Sequence, residues 1–487
     1  MALKKGFNLM RRKKIAVLIT LTATLNLFAD LTLPTIFTDH MVLQRDQPVP
    51  VWGTAPPGST ITVMFADQQK TIATDSDGKW RTELAPMSAN AKPQTLTILS
   101  SADQTIKIRD VLIGDVWLCS GQSNMAYKMR DEENGAAAIA AASNPLIRLY
   151  KTPPAFSKTP APKINSAWTR CTPETLPDFS AVGYYFGKKM QKELHVPIGL
   201  LLSAWGGTRI EPWTPPGGFK GFDSLAAIRK TINDFPARFG ADRKKRKQER
   251  QHPCVIYNAM IHAHIPFAIK GVIWYQGEAN RKDGMLYVDK TAALLKGWRS
   301  LWGCDFPFYF VQIAPYQYGN DDAYILPAFW EAQASIVKKI PKTGMAVISD
   351  TATLDNIHPP DKRAPGIRLA LLALDNTYGR HIVSTGPTFK KLGKPLLGGS
   401  TLKIIFSSSK GLTTRDGNPP DCFEIAGADG TFKPAQAKIK GNAVFVSSDE
   451  ISKPVAVRFA WNKVATPNLI NSAGLPCPAF RARLIDP

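Results

Sequence analysis

The sequence predicts an α/β chain, in which a central parallel sheet with helices on both faces is flanked on each side by β-rich segments. Three observations carry this. From Val111 to about residue 380, short apolar strands alternate with amphipathic helical stretches, the pattern of parallel strands joined by crossover helices. Several of those strands are continuously apolar, as strands covered on both faces are. Outside this region, short β-forming segments are punctuated by Gly, Pro and Asp turns.

The chain has 487 residues, too many for one core, so several units are expected. Residues 1–29 read as a secretory signal peptide. Lys4, Lys5, Arg11, Arg12, Lys13 and Lys14 precede an apolar run from Ile15 to Phe28, and the small residue Ala29 follows. That run is too short to span a bilayer comfortably. Export to the periplasm or beyond the cell is therefore expected, without stable membrane insertion. Residues 30–110 read as a small β-sandwich-like unit with a scaffold role. Its segments are Val49–Trp52, Thr60–Phe65, Thr95–Leu99 and Ile106–Ile108, with turns at Pro56-Pro57-Gly58 and Asp75–Gly78.

Residues 111–380 form the predicted central unit. Val111–Leu118, Val196–Leu202, Ile269–Tyr275, Phe308–Ile313 and Met345–Ser349 are its strands, and Val182–Leu194 and Arg368–Leu374 lie on helices. Residues 381–487 return to β-texture, with strands at Thr401–Phe406, Cys422–Ala426, Ala443–Val446 and Val455–Phe459.

The formal charge is +22, and six of the positive charges lie in the leader, which has no acidic residue. Part of the remainder is the run Arg243–Arg250. In an exported protein such a run is a solvated helix or loop rather than a nucleic-acid site, although an acidic substrate such as a sialic acid would suit the positive field. Six widely spaced cysteines leave disulfide pairing open, and none forms a metal-ligand pattern. No metal or organic cofactor is implied. Cys119, inside the first central strand, reads as a core thiol.

Each central strand ends in a polar or glycine-rich turn, and open α/β sheets bind their ligands at that edge. The first turn is Ser120-Gly121-Gln122-Ser123-Asn124, with Ser123 a candidate nucleophile that needs a base and an anion-stabilising pocket. Trp205-Gly206-Gly207-Thr208 follows the second strand and offers backbone N–H groups close to a ligand. Trp274-Tyr275-Gln276-Gly277-Glu278-Ala279-Asn280 offers a side-chain amide donor. Asp355-Asn356-Ile357-His358-Pro359 sets an acid three residues before a histidine. His262 and His264 lie in apolar sequence and read as packed side chains, which leaves His358 as the candidate base. Asp115, Glu278, Asp350 and Asp355 are the carboxylates for a glycoside-hydrolase pair, without a pairing the sequence supports. Trp205, Trp213, Trp274 and Tyr275 are candidates to stack on a sugar, with core packing as their plainer role.

Gly121-Gln122-Ser123-Asn124-Met125, Trp205-Gly206-Gly207-Thr208, Trp274–Glu278 and Asp355-x-x-His358-Pro359 resemble, in order and character, the four blocks of sialate O-acetylesterases of the SGNH/GDSL hydrolase superfamily. The likeness runs from Thr35–Gln44 to Leu475–Arg481. It implies a flavodoxin-like catalytic domain with accessory β-structure, and hydrolysis of O-acetyl groups from sugars. Carried over, Ser123 is the nucleophile, His358 the base and Asp355 the orienting acid, with Asp350 as rival. The oxyanion pocket would be the Ser123 N–H, Gly207 and Gln276, with Asn280 as a substitute for the last. Gln122, Asn124, Trp205 and Glu278 are expected against substrate. O-acetylated sialic acid is the leading substrate. The alternatives are an acetylated polysaccharide such as xylan, or a non-catalytic glycan binder.

Overall fold

The apolar run that begins at Val111 is the second half of an 18-residue strand, Gln104–Gly121, in the computed structural model. The structure describes residues 30–161, 163–234, 243–393 and 399–484; the leader expected over 1–29 lies outside them. In the first half of this strand burial alternates, with Lys107 and Arg109 exposed beside buried Ile108. From Val111 onward every residue is buried.

The two halves serve different sheets. Residues up to Ile113 pair antiparallel with Asn90–Ser100, and Leu112–Gly114 pair parallel with Val42–Gln44. Beyond them the strand pairs parallel with Ile198–Ala204 on one side and Gly271–Tyr275 on the other. The junction expected between residues 110 and 111 therefore falls inside one strand. What changes there is burial, from one covered face to two, while the hydrogen-bonded ladder continues.

Across the central sheet the order is Thr343–Ala346, Phe308–Val311, Gly271–Tyr275, Gln104–Gly121, Ile198–Ala204, Asn144–Lys151, Trp168–Cys171. The six strands from Thr343–Ala346 to Asn144–Lys151 pair in parallel, and Trp168–Cys171 closes one edge antiparallel. The chain fills one flank of Gln104–Gly121 first and the other afterwards. Such a reversal leaves a crevice at the carboxyl ends of the middle strands.

Alternate side chains of those strands feed two cores. Trp117, Cys119, Ile273 and Tyr275 pack with helices Ala181–Leu194 and Arg363–Asn376. Val116, Leu118, Val272 and Trp274 join Leu294, Trp298, Leu326 and Phe329 of helices Leu286–Trp302 and Ile325–Lys339. Ser180 caps the first of these helices, its Oγ accepting the Gly183 N–H at 2.9 Å. Gly366 lets the two helices of one face touch, since a Cβ there would lie 2.8 Å from the Val182 carbonyl oxygen.

The C-terminal strands form two four-stranded sheets, Thr388–Leu392/Leu402–Ser407/Ala443–Ser447/Gln436–Lys440 and Phe432–Pro434/Phe423–Ala426/Ala456–Phe459/Phe480–Arg483, antiparallel throughout. Phe480 joins them, its ring 4.8 Å from Phe389, 5.8 Å from Phe406 and 5.5 Å from Phe459. All six cysteines are free thiols. Cys119 is fully buried, which pushes its thiol far up. No described helix is long and apolar enough to cross a membrane.

Candidate active site

Gly121 ends the central strand at φ +137°, and a Cβ there would sit 2.2 Å from the Tyr275 carbonyl oxygen. Only glycine fits. The Gln122 N–H then donates to that same carbonyl at 2.9 Å, and Ser123 opens a single helical turn, Ser123–Ala126, with its side chain half-exposed.

On one flank, Ile198–Ala204 runs into the turn Trp205–Thr208. The Trp205 N–H donates to the Gly121 carbonyl, and the Thr208 hydroxyl donates back to the Trp205 carbonyl at 2.8 Å. Gly207 takes φ +68°, and a Cβ on Gly206 would lie 3.2 Å from that of Ser123. Among the described residues, the backbone N–H groups of Ser123, Gly206 and Gly207 have no acceptor. They are donors left over for a ligand.

His358 arrives from the far edge of the sheet, on the loop after Thr343–Ala346 and the Ser349–Thr351 turn. Its Nε2 lies 2.8 Å from the Ser123 Oγ, across 235 residues of sequence. Three contacts hold the loop there. The Asn124 amide donates to the Ile357 carbonyl at 3.2 Å, the Lys362 ammonium to the Pro359 carbonyl at 2.5 Å, and the same ammonium to Asn124 Oδ1 at 2.7 Å. Asn124 also donates to Glu278 Oε1 at 2.6 Å. A buried Lys362–Asn124–Glu278 chain thus ties the serine turn to the histidine loop.

Burial dominates the electrostatics of that chain. It pushes the Glu278 carboxyl up and the Lys362 ammonium down to about 7, while Glu278 pulls Lys362 back toward its charged form. His358 is pushed below its ordinary value by its own burial and then by the Lys362 cation. Both effects favour the neutral imidazole, the state in which Nε2 can accept a proton.

Several expected contacts are not made. Asp355 is exposed and has no hydrogen bond to His358. The Thr353–Asn356 turn faces it to solvent, and the Asn356 side chain takes the His358 N–H at 2.9 Å. Asp350 is bound to Arg368 through two 2.6 Å contacts. The Gln276 amide points inward, donating to Asn280 Oδ1 at 2.7 Å and the Thr208 carbonyl at 3.1 Å while Oε1 accepts from Tyr287 at 2.7 Å. Asn280 is engaged with Glu211 and Asp283 in turn. Gln276 thus stabilises the floor of the site rather than facing it, because Lys290 and Arg209 gather Glu211 and Asp283 beneath. Asn124 and Glu278 are buried as well and are hydrogen-bonded to each other, with Asn124 also bonded to the histidine loop.

Gln276→Leu should therefore lower stability by about 1–3 kcal/mol by stranding buried partners. Thermal unfolding reads this out, and an unchanged melting temperature would contradict the inward placement.

Of the aromatic candidates, Trp213, Trp274 and Tyr275 are buried, and only Trp205 of the four is part-exposed. His264 is a core histidine, its Nε2 2.9 Å from the Thr152 hydroxyl, and burial lowers it to about 3. Asp115 is buried against Arg45, Gln44 and Tyr378, far along the strand from Ser123, so the paired-carboxylate reading gains no partner. A cleft of about 700 Å³ lined by Met345, Arg368, Asp375, Phe389 and Phe480 contains neither Ser123 nor His358. No sequence pattern singles out Lys362, whose partners Asn124 and Pro359 are chosen by the fold.

Residues 113–365 match the family model described as carbohydrate esterase, sialic acid-specific acetylesterase. The rat sialate O-acetylesterase is 30% identical, with 92% of this chain and 93% of the rat protein covered. The human sialate O-acetylesterase is 29% identical, with 92% of each covered. Among solved structures, a carbohydrate acetylesterase from Xanthomonas citri superposes with a TM-score of 0.84 at 36% identity, over 93% of this chain and 99% of that one.

Proposed function

Because this chain belongs to the carbohydrate-esterase family of sialic acid-specific acetylesterases, we propose that it removes acetyl groups from O-acetylated sugars by serine-dependent acyl transfer at Ser123. The observation that carries this is the 2.8 Å contact between His358 Nε2 and Ser123 Oγ. A protein that only binds glycans has no use for that pair. The central layer acts as a flavodoxin-like SGNH hydrolase unit, with the β-segments on either side as accessory structure. The basic-then-apolar start supports export.

His358 Nε2 takes the Ser123 proton as Oγ attacks the acetyl carbonyl. The tetrahedral oxygen collects the leftover N–H groups of Ser123, Gly206 and Gly207, and each such donor is worth about 3–4 kcal/mol. Collapse expels the sugar hydroxyl, which takes its proton from His358. Water then attacks the acetyl-enzyme with the same imidazole as base, releasing acetate and restoring Ser123. Asp355 supplies the orienting carboxylate. It is three residues from His358 and has no other side-chain partner among the described residues, whereas Asp350 is committed to Arg368. Hydrogen bonds of this kind are often long or poorly aligned without substrate and tighten in the complex.

O-acetylated sialic acid is the leading substrate, in line with the family and the mammalian relatives. Acetylated xylan is the rival. Acetate release from both by the wild type, with the Ser123→Ala protein as control, tests activity and substrate together. No release from any acetyl ester would sink the reading.

Lys362→Met should act through His358. Removing the neighbouring cation lets the imidazole protonate at higher pH, so the acid limb of kcat/KM moves up toward the ordinary histidine value of about 6.5. A loosened loop should also cost roughly 100-fold in kcat. A pH–rate profile checks both, and an unmoved acid limb would show that Lys362 only packs.

A further inference from the structure

Arg250, the last residue of the basic run, stands beside the nucleophile's own turn. Its guanidinium lies over the Trp205 ring, 5.0 Å from the centroid, and Phe156 stacks on that ring at 6.1 Å and 23°. One of its terminal nitrogens is 3.1 Å from where a Cβ on Gly207 would be, while Gly206 abuts Ser123. Its neighbour holds it there. The Gln251 amide donates to the Gly207 carbonyl at 2.7 Å, and its oxygen accepts the Arg209 N–H at 2.9 Å.

Among the described residues the Arg250 side chain has neither an anion nor a hydrogen bond, whereas half-buried Arg229, also without a carboxylate, donates to the Phe219 and Phe222 carbonyls. Arg45, Arg148, Arg209, Arg281 and Arg368 all pair with carboxylates. Half-buried Arg250 pairs with none among the described residues, and its Nε is buried without a hydrogen-bond partner. Burial alone acts on it, favouring loss of its charge. A desolvated cation with free donors, braced on an aromatic face, is prepared for an anion that arrives with the ligand.

We propose that Arg250 binds a carboxylate on the acetylated sugar, so that the enzyme selects acidic over neutral substrates. This rests on the esterase reading above and adds the residue that sets its specificity. The carboxylate comes from a sialic acid or from a uronic acid, which Arg250 would recognise through the same paired N–H groups.

The test compares kcat/KM for O-acetylated N-acetylneuraminic acid and for O-acetylated glucuronic acid, each as the free acid and as its methyl ester. Methylation removes the charge and leaves the acetyl group in place. The wild type should prefer the acid form about 10- to 100-fold, as expected for a charge-assisted contact. The sugar showing that preference names the source.

In Arg250→Met the acid-to-ester ratio should fall to near one, and Arg250→Lys should recover part of it. Lys247→Met, an exposed position of the same run, should keep all of it, which excludes the general field of the run. Because the readout is a ratio within one sample, a partly unfolded variant does not blur it. A wild type that prefers neither acid, one that prefers neutral acetylated xylan, or a preference that survives Arg250→Met overturns the proposal while leaving the esterase intact. A wild type that releases no acetate even from nitrophenyl acetate sinks the esterase reading and this inference together.

Discussion

Ser123→Ala should lower acetyl-ester turnover by roughly 10^4- to 10^6-fold, the scale on which serine–histidine hydrolases lose activity when the nucleophile goes. The size follows from what the hydroxyl does. In the proposed mechanism it forms the covalent bond, and among the described residues no other serine hydroxyl is hydrogen-bonded to His358. The leftover N–H donors at Gly206 and Gly207 remain, so a small residual rate above the uncatalysed one should survive. Stability should scarcely change, within about 0.5 kcal/mol, because the side chain is half-exposed and its hydrogen bond is to a half-exposed imidazole. Acetate release and a thermal melt on the same preparation separate the two quantities. Wild-type turnover by this variant would remove the nucleophile from the account.

Asp355→Asn carries the second largest effect, a loss of about 10^3- to 10^4-fold in kcat with the melting temperature unmoved. The amide cannot favour the tautomer that leaves Nε2 free to accept, nor steady the imidazolium once the proton arrives. Its carboxylate is exposed and has no hydrogen-bond or ion-pair partner among the described residues, so stability has no reason to change. Asp350→Asn should do the opposite. It breaks the paired contacts with Arg368 in a largely buried setting, costing about 1.5–3 kcal/mol and leaving kcat within tenfold. Full activity in Asp355→Asn would mean that Ser123 and His358 work as a dyad, with Lys362 and burial alone setting the basicity of the imidazole.

Residue patterns made much of the sheet legible. Apolar runs expected as strands at Val111–Leu118, Val196–Leu202 and Ile269–Tyr275 hold neighbouring parallel strands, because strands covered on both faces are nearly uniformly apolar. The C-terminal β-texture resolved into two four-stranded sheets and a two-stranded one for a similar reason, alternation burying Phe406, Phe423, Val444 and Phe459. The change of pattern at Val111 marked a change in burial along one strand, which a sequence cannot distinguish from a boundary.

Composition and motif thus determined much of the strand pattern, its buried faces, and the two side chains, Ser123 and His358, that the fold brings into contact. Tertiary structure decided which polar groups in the same blocks turn inward. Asn124, Gln276 and Glu278 look identical in sequence whether turned toward a substrate or toward each other. The outcome depended on partners far along the chain, namely Lys362 for Asn124 and the Lys290–Glu211–Asp283 cluster beneath Gln276. The same holds for Arg250, whose place beside Gly207 is fixed by a side chain docking on a turn some forty residues away. A buried hydrogen bond is a property of a pair, and only the fold chooses the pair.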